Sequence, residues 1–133
     1  MGDLDRAGRS DLHYAALEGR VADVMRLLES GADPALADRQ GWTPLHFAAQ
    51  SLHADIGRAL IAAGAPVDAA DRTGRTPLLV AMFNVRDGDG SIIRMLLDAG
   101  ADPHHQNRAG ISAYDHADTV ANYDLHRHLP PRR

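Results

Sequence analysis

The sequence predicts an all-α repeat solenoid, a single domain of about four stacked helix–turn–helix units. Three observations carry that prediction. Gly8, Gly41 and Gly74 stand 33 residues apart, and Gly110 follows 36 later. A second series, Gly31, Gly64 and Gly100, shows the same 33 and then 36, so two independent landmarks put one three-residue insertion in the third unit. A helix-start signal then recurs in phase after the first glycine series, as Ser10-Asp11, Thr43-Pro44, Thr76-Pro77 and Ser112-Ala113. The units read 5–37, 38–70, 71–106 and 107–129, with an N-terminal extension of 1–4 and a C-terminal tail of 130–133.

Each unit opens with a polar turn, such as Asp38-Arg39-Gln40-Gly41 or Asp71-Arg72-Thr73-Gly74. A hydroxyl N-cap follows, and in the two middle units proline takes the first helical position, where its missing N–H costs nothing. The first helix is short and alanine-rich, with Ala15-Ala16, Ala48-Ala49, Ala81 and Ala117. Small side chains there allow neighbouring helices to approach closely. The second helix carries the apolar bulk, as Val24-Leu27-Leu28, Ile56-Leu60-Ile61 and Ile92-Ile93-Leu96-Leu97. It closes at Gly31, Gly64 or Gly100 in a left-handed residue.

These features resemble the ankyrin repeat family. The residues that carry the resemblance are Gly41-Trp42-Thr43-Pro44-Leu45-His46-Phe47-Ala48-Ala49, together with Gly31-Ala32-Asp33 and Gly100-Ala101-Asp102 at the helix exits. The resemblance covers 5–129 and implies an L-shaped stack of helix pairs, with β-turn fingers on one side and a concave face built from turns and first helices. His13 and His46 hold the signature histidine position, which in that family braces the turn, and Leu79 and Asp115 replace it in the later units. His53 opens a second helix, another position where the family places histidine for structural reasons.

Both ends depart from the pattern in a way that predicts capping. The first unit has Asp23 and Arg26 where internal units carry apolar or small residues, which suits an outer face in water. The last unit has Ala113 for proline, Asp115 for histidine, and His126-Arg127-His128 in its expected second helix. A complete, self-capped domain is the expectation.

Composition narrows the function. The 133 residues carry a formal charge of −4, from 18 Asp and Glu against 14 Arg and no Lys. That balance argues against wholesale binding to nucleic acid or anionic membrane. The absence of cysteine excludes disulfides, thiolate metal sites and cysteine nucleophiles. No apolar run approaches the ~18 residues of a membrane span, and the start lacks the basic-then-apolar order of a signal peptide and the serine or threonine that myristoylation needs. A cytoplasmic domain is expected.

Catalytic signatures are missing: there is no P-loop, G-x-G-x-x-G, H-E-x-x-H or G-x-S-x-G. His104-His105 and His126-Arg127-His128 lack the spacing of a zinc site. The insertion Val85-Arg86-Asp87-Gly88-Asp89-Gly90-Ser91 lacks the closing glutamate of a calcium loop and reads as a lengthened acidic loop. No catalytic residue, cofactor or metal is expected.

The binding face is more informative. The residue after each leading Asp or Asn is arginine, namely Arg6, Arg39, Arg72 and Arg108. After the turn glycines come Arg9, Trp42, Arg75 and Ile111. Stacked, these put six arginines and the single tryptophan along the turn tips, with Leu17, Glu18, Gln50, Ser51, Phe83 and Asn84 on the concave wall. Tryptophan and arginine are the types most enriched at interface hot spots, and the guanidinium fork matches carboxylates. The candidate partner-binding residues are Arg9, Arg39, Gln40, Trp42, Gln50, Arg72, Arg75, Phe83 and Asn84. The expected function is a protein–protein interaction module, monomeric when free, whose partner presents an acidic surface. An arginine-rich, lysine-free composition also suggests a bacterial genome, and the alternative is an inhibitor or immunity protein that occludes a toxin or enzyme.

Overall fold

The computed structural model describes residues 4–86, 88–120 and 123–131. Parts of the predicted N- and C-terminal segments, and Asp87 of the insertion, lie outside the described residues. Seven α-helices and one 3-10 turn occur among the described residues, with no strand between them. They are α1 (Asp11–Glu18), α2 (Val21–Glu29), α3 (Pro44–Gln50), α4 (Ala54–Ala62), α5 (Pro77–Val85), α6 (Ser91–Asp98), α7 (Ala113–Thr119) and the 3-10 turn Leu125–His128.

The helices form two layers. First helices pack on first helices, α1 on α3, α3 on α5 and α5 on α7, while α2 packs on α4 and α4 on α6. The alanines of the first layer explain the close approach: Ala15, Ala16, Ala48, Ala49 and Ala81 are fully buried. Between the layers lie Leu12, Leu45, Ile56, Leu60, Leu78, Met82, Ile93 and Leu96, each excluded from solvent. The chain is therefore an all-α repeat solenoid.

The caps are built locally. Each second helix ends in a pair of backbone hydrogen bonds, for example Gly31 N–H to Leu28 O (3.1 Å) and Ala32 N–H to Leu27 O (3.0 Å). The same pair recurs at Gly64 and Gly100, and it satisfies carbonyls that the helix end would otherwise leave open. At the first-helix starts, the backbone N–H of Ser10 and of Thr43 donates to Nδ1 of His13 (2.9 Å) and of His46 (3.1 Å). Asp115 does this with a carboxylate: Ser112 N–H donates to its Oδ2 at 2.9 Å. The third unit, with Leu79, keeps only the hydroxyl half of the arrangement, in which Thr76 Oγ1 accepts the Leu79 N–H at 3.4 Å.

Two details differ from the sequence reading. The insertion is not purely loop: α5 runs nine residues against seven in α3, and its last residue, Val85, is buried. Burial of Val85 draws the extra residues into the helix. In the last unit, His126-Arg127-His128 belongs to a four-residue 3-10 turn, not a full second helix. Only Leu125 of that turn is buried, too little apolar surface to hold a longer amphipathic helix against the stack.

Candidate protein-interaction surface

The turn tips are held by one device repeated four times. The leading Asp or Asn accepts two backbone N–H groups through Oδ1, two and four residues on. Asp5 takes Ala7 and Arg9 (both 2.9 Å), Asp38 takes Gln40 and Trp42 (2.8 and 2.9 Å), Asp71 takes Thr73 and Arg75 (both 2.8 Å), and Asn107 takes Ala109 and Ile111 (2.9 and 3.0 Å). Adjacent tips are then joined by backbone bonds, from Arg39 N–H to Ala7 O (2.8 Å), Arg72 N–H to Gln40 O (2.9 Å) and Arg108 N–H to Thr73 O (2.8 Å). The main chain of each of these arginines is thus fixed in the stack while its side chain projects into solvent.

The signature histidines reach between units. Because Nδ1 of each ring accepts a backbone N–H, the proton sits on Nε2, and that N–H donates forward: His13 to Trp42 O (3.0 Å) and His46 to Arg75 O (2.9 Å). Burial holds both rings below the ordinary histidine pKa, despite the backbone acceptors and nearby aspartates that favour the charged form. The His105 contact differs, because its Nε2, 2.8 Å from Gly74 O, meets a turn carbonyl within the third unit itself.

Five of the predicted residues come together. Arg9, Gln40, Trp42, Gln50 and Arg75, with Phe47, Asp71 and Thr73, line one groove of about 270 Å3. Its floor is aromatic. The half-buried Trp42 ring lies 5.0 Å from Phe47 and stacks on His46 at 5.4 Å. Arg9 stands 4.9 Å above the Phe47 ring with its Nε 3.1 Å from Asp38 Oδ2, and Arg75 stands 5.7 Å above the Trp42 ring. Burial disfavours the Arg9 charge, but Asp38 and Tyr14 outweigh it and raise the Arg9 pKa. Asp71 is likewise ionised: burial pushes its carboxyl up, and N–H and O–H donation from Arg75, Thr73 and Trp42 pulls it further down.

The other four predicted residues stand outside the groove. Arg39 and Arg72 are exposed at the tips. Phe83 packs edge-on against His116 at 4.3 Å, and the Asn84 amide donates to Val80 O within its own helix at 2.7 Å. Phe47, Asp71 and Thr73 join the groove in addition to the residues predicted from sequence. The signal was present in the register, since the residue after one turn glycine sits beside the leading Asp of the next unit.

The arginines divide by location. Away from the tips, Arg20, in the link between α1 and α2, pairs with Glu18 and Asp23 (2.9 and 2.6 Å), Arg26 on α2 with Asp23 (2.9 Å) and Arg58 on α4 with Asp55 (3.2 Å). At the tips, Arg6, Arg39, Arg72 and Arg108 are exposed and form no ion pair among the described residues. Among the described residues, no three histidines or carboxylates converge to hold a metal ion, and no helix is long and apolar enough to cross a membrane.

A solenoid of phased helix pairs joined by hydrogen-bonded turns is a scaffold for presenting side chains, and comparison with known families agrees. The model of ankyrin repeats matches the chain in three copies over residues 4–107, and the protein belongs to that family. Ankyrin repeats are in general protein–protein interaction modules and typically non-enzymatic. No curated protein matches the chain.

Proposed function

We propose that this ankyrin protein recognises an acidic partner protein through its turn tips and the groove around Trp42, and that it does so without catalysis, cofactor or metal. The observation that carries the reading is the convergence of Arg9, Gln40, Trp42, Gln50 and Arg75 on one aromatic-floored groove. Aromatic and arginine side chains in a recess are the usual anchors of an interface. Arg6, Arg39, Arg72 and Arg108, which form no ion pair among the described residues, extend the positive field on either side, which speeds encounter with a negative surface. The overall charge of −4 disfavours nucleic acid and anionic membrane as the partner. On this reading the protein is cytoplasmic and monomeric until it meets its partner, and Arg39, Arg72, Phe83 and Asn84 border the interface.

Affinity capture from the source cell tests the reading, with wild type beside Trp42→Ala and Arg75→Glu. A specific partner should be retained by the wild type and lost by both variants. Equal retention by all three would reject it. The inhibitor reading is a special case in which the partner is a toxin or enzyme. Its separate test is co-expression, where the wild type alone should rescue growth from the toxin encoded beside it.

A further inference from the structure

We infer that the groove between the second and third units is a carboxylate receptor, in which Arg75 takes an aspartate or glutamate side chain of an extended acidic peptide, and that Asn107 is what leaves Arg75 available. The inference rests on the protein-recognition reading and adds the chemistry of what is recognised.

The residue after each turn glycine is normally tied forward. Arg9 Nε donates to Asp38 Oδ2 (3.1 Å), and Trp42 Nε1 donates to Asp71 Oδ2 (2.8 Å), in each case to the carboxylate oxygen the turn does not use. The same reach from Arg75 leads to Asn107. There Oδ1 already accepts the N–H groups of Ala109 and Ile111, so the remaining side-chain atom is an NH2 donor. Donor would face donor, and Arg75 is not drawn forward. It lies back over Trp42 with only Nε engaged, 3.2 Å from Thr73 Oγ1 and 3.4 Å from Asp71 Oδ2. Its terminal N–H groups have no partner among the described residues.

An open guanidinium edge above an aromatic plane matches a carboxylate, which takes two parallel N–H bonds. The ionised Asp71 in the same wall disfavours a dianion such as phosphate more than a single carboxylate. Gln40 and Gln50 at the exposed rim offer amide donors and acceptors to the backbone of a peptide lying in the groove.

Trp42 is the only tryptophan, so its fluorescence reports on this groove alone. The probe is acetyl-pentaglutamate amide at low salt, with the pentaglutamine peptide as control. Wild type should give a saturable change with the acidic peptide only. Arg75→Gln should weaken it about tenfold or more, the loss of a charge-assisted pair, and Arg58→Gln, on α4, should leave it unchanged. Asn107→Asp should draw Arg75 forward, weakening the peptide while raising the melting temperature, a combination that misfolding does not produce. The inference is overturned if the wild type does not respond, if pentaglutamine responds equally, if Arg75→Gln or Asn107→Asp binds as wild type, or if a short oligodeoxythymidylate binds in preference. A captured partner that depends on Trp42 while pentaglutamate is ignored would sink the carboxylate inference and leave the broader reading standing.

Discussion

Trp42 Nε1 donates a 2.8 Å hydrogen bond to Asp71 Oδ2, linking the second turn to the third across 29 residues of chain. The same carboxylate holds its own turn through Oδ1 and stands 3.4 Å from Arg75. One buried aspartate therefore fixes a turn, the stacking of two units and the floor of the groove. Stability and the proposed recognition draw on the same side chains here.

Asp71→Asn separates those roles. The amide oxygen can still accept from Thr73 and Arg75, as Asn107 does in its own turn, but an NH2 group now meets the Trp42 N–H. We expect a loss of about 2 kcal/mol, since a charge-assisted bond goes and a part-buried donor loses its partner. Urea unfolding measures it. With Trp42→Phe as the second arm of a double-mutant cycle, the coupling should be about 1 kcal/mol or more. Strictly additive costs would show that the bond contributes nothing.

Two turn glycines with the same backbone should respond differently. Gly41 and Gly110 both have positive φ, 84° and 79°, which a side chain tolerates poorly. A Cβ on Gly41 would meet Asp71 Cα at 2.9 Å and Arg72 N at 3.1 Å, whereas a Cβ on Gly110 would have nothing within 4 Å. Gly110→Ala should therefore cost about 1 kcal/mol, the backbone strain alone. Gly41→Ala adds a clash with the next turn and should cost about 3 kcal/mol. Equal costs in chemical denaturation would mean that the turns do not touch as closely as they do here.

The repeat was legible because each unit states its own local structure. Glycine spacing, the Thr-Pro starts and the alanine stripes depend on neighbours a few residues away, and all reappear as helices, caps and buried faces. The groove was legible only in part. Arg9, Trp42 and Arg75 follow from register, but the Asp38 and Asp71 oxygens that orient Arg9 and Trp42 act between units, 29 residues apart. Register alone puts Phe83 on the concave wall, but its ring packs on His116, which comes from the following unit. The lengthened α5 was hidden for a different reason. Glycine spacing locates an insertion but does not say how much of it the helix absorbs.

The signature histidines predict a pH dependence of stability. His13 and His46 are buried and neutral, with Nδ1 accepting a backbone N–H that a proton would displace. Burial lowers both pKa values, so below the unfolded value of ~6.5 the unfolded chain binds protons that the folded chain refuses. Their contribution is complete above that pH and declines as pH falls, by up to ~1.4 kcal/mol per pH unit for each ring until the folded rings titrate. Urea midpoints at pH 7.5 and 5.5 should differ accordingly, and the difference should shrink in His46→Gln. A midpoint that is flat over this range would contradict neutral, buried rings.

The two non-glycine residues with positive φ among the described residues give opposite predictions for one substitution. Arg86 closes α5 at φ 51°, ψ −121°, a conformation glycine adopts freely, and its side chain is exposed with no ion pair among the described residues. Arg86→Gly should raise stability by about 1 kcal/mol by removing backbone strain. Leu52 has φ 60°, but its half-buried side chain packs on the core. Leu52→Gly removes half-buried apolar contact of about 1 kcal/mol and adds the extra unfolded-chain freedom of glycine, about 1 kcal/mol, against a relief of strain of about 1 kcal/mol, and the balance should be a net loss. Thermal melts of the two variants, run side by side, should move in opposite directions. Movement in the same direction would show that burial at Leu52, or strain at Arg86, is not the dominant effect.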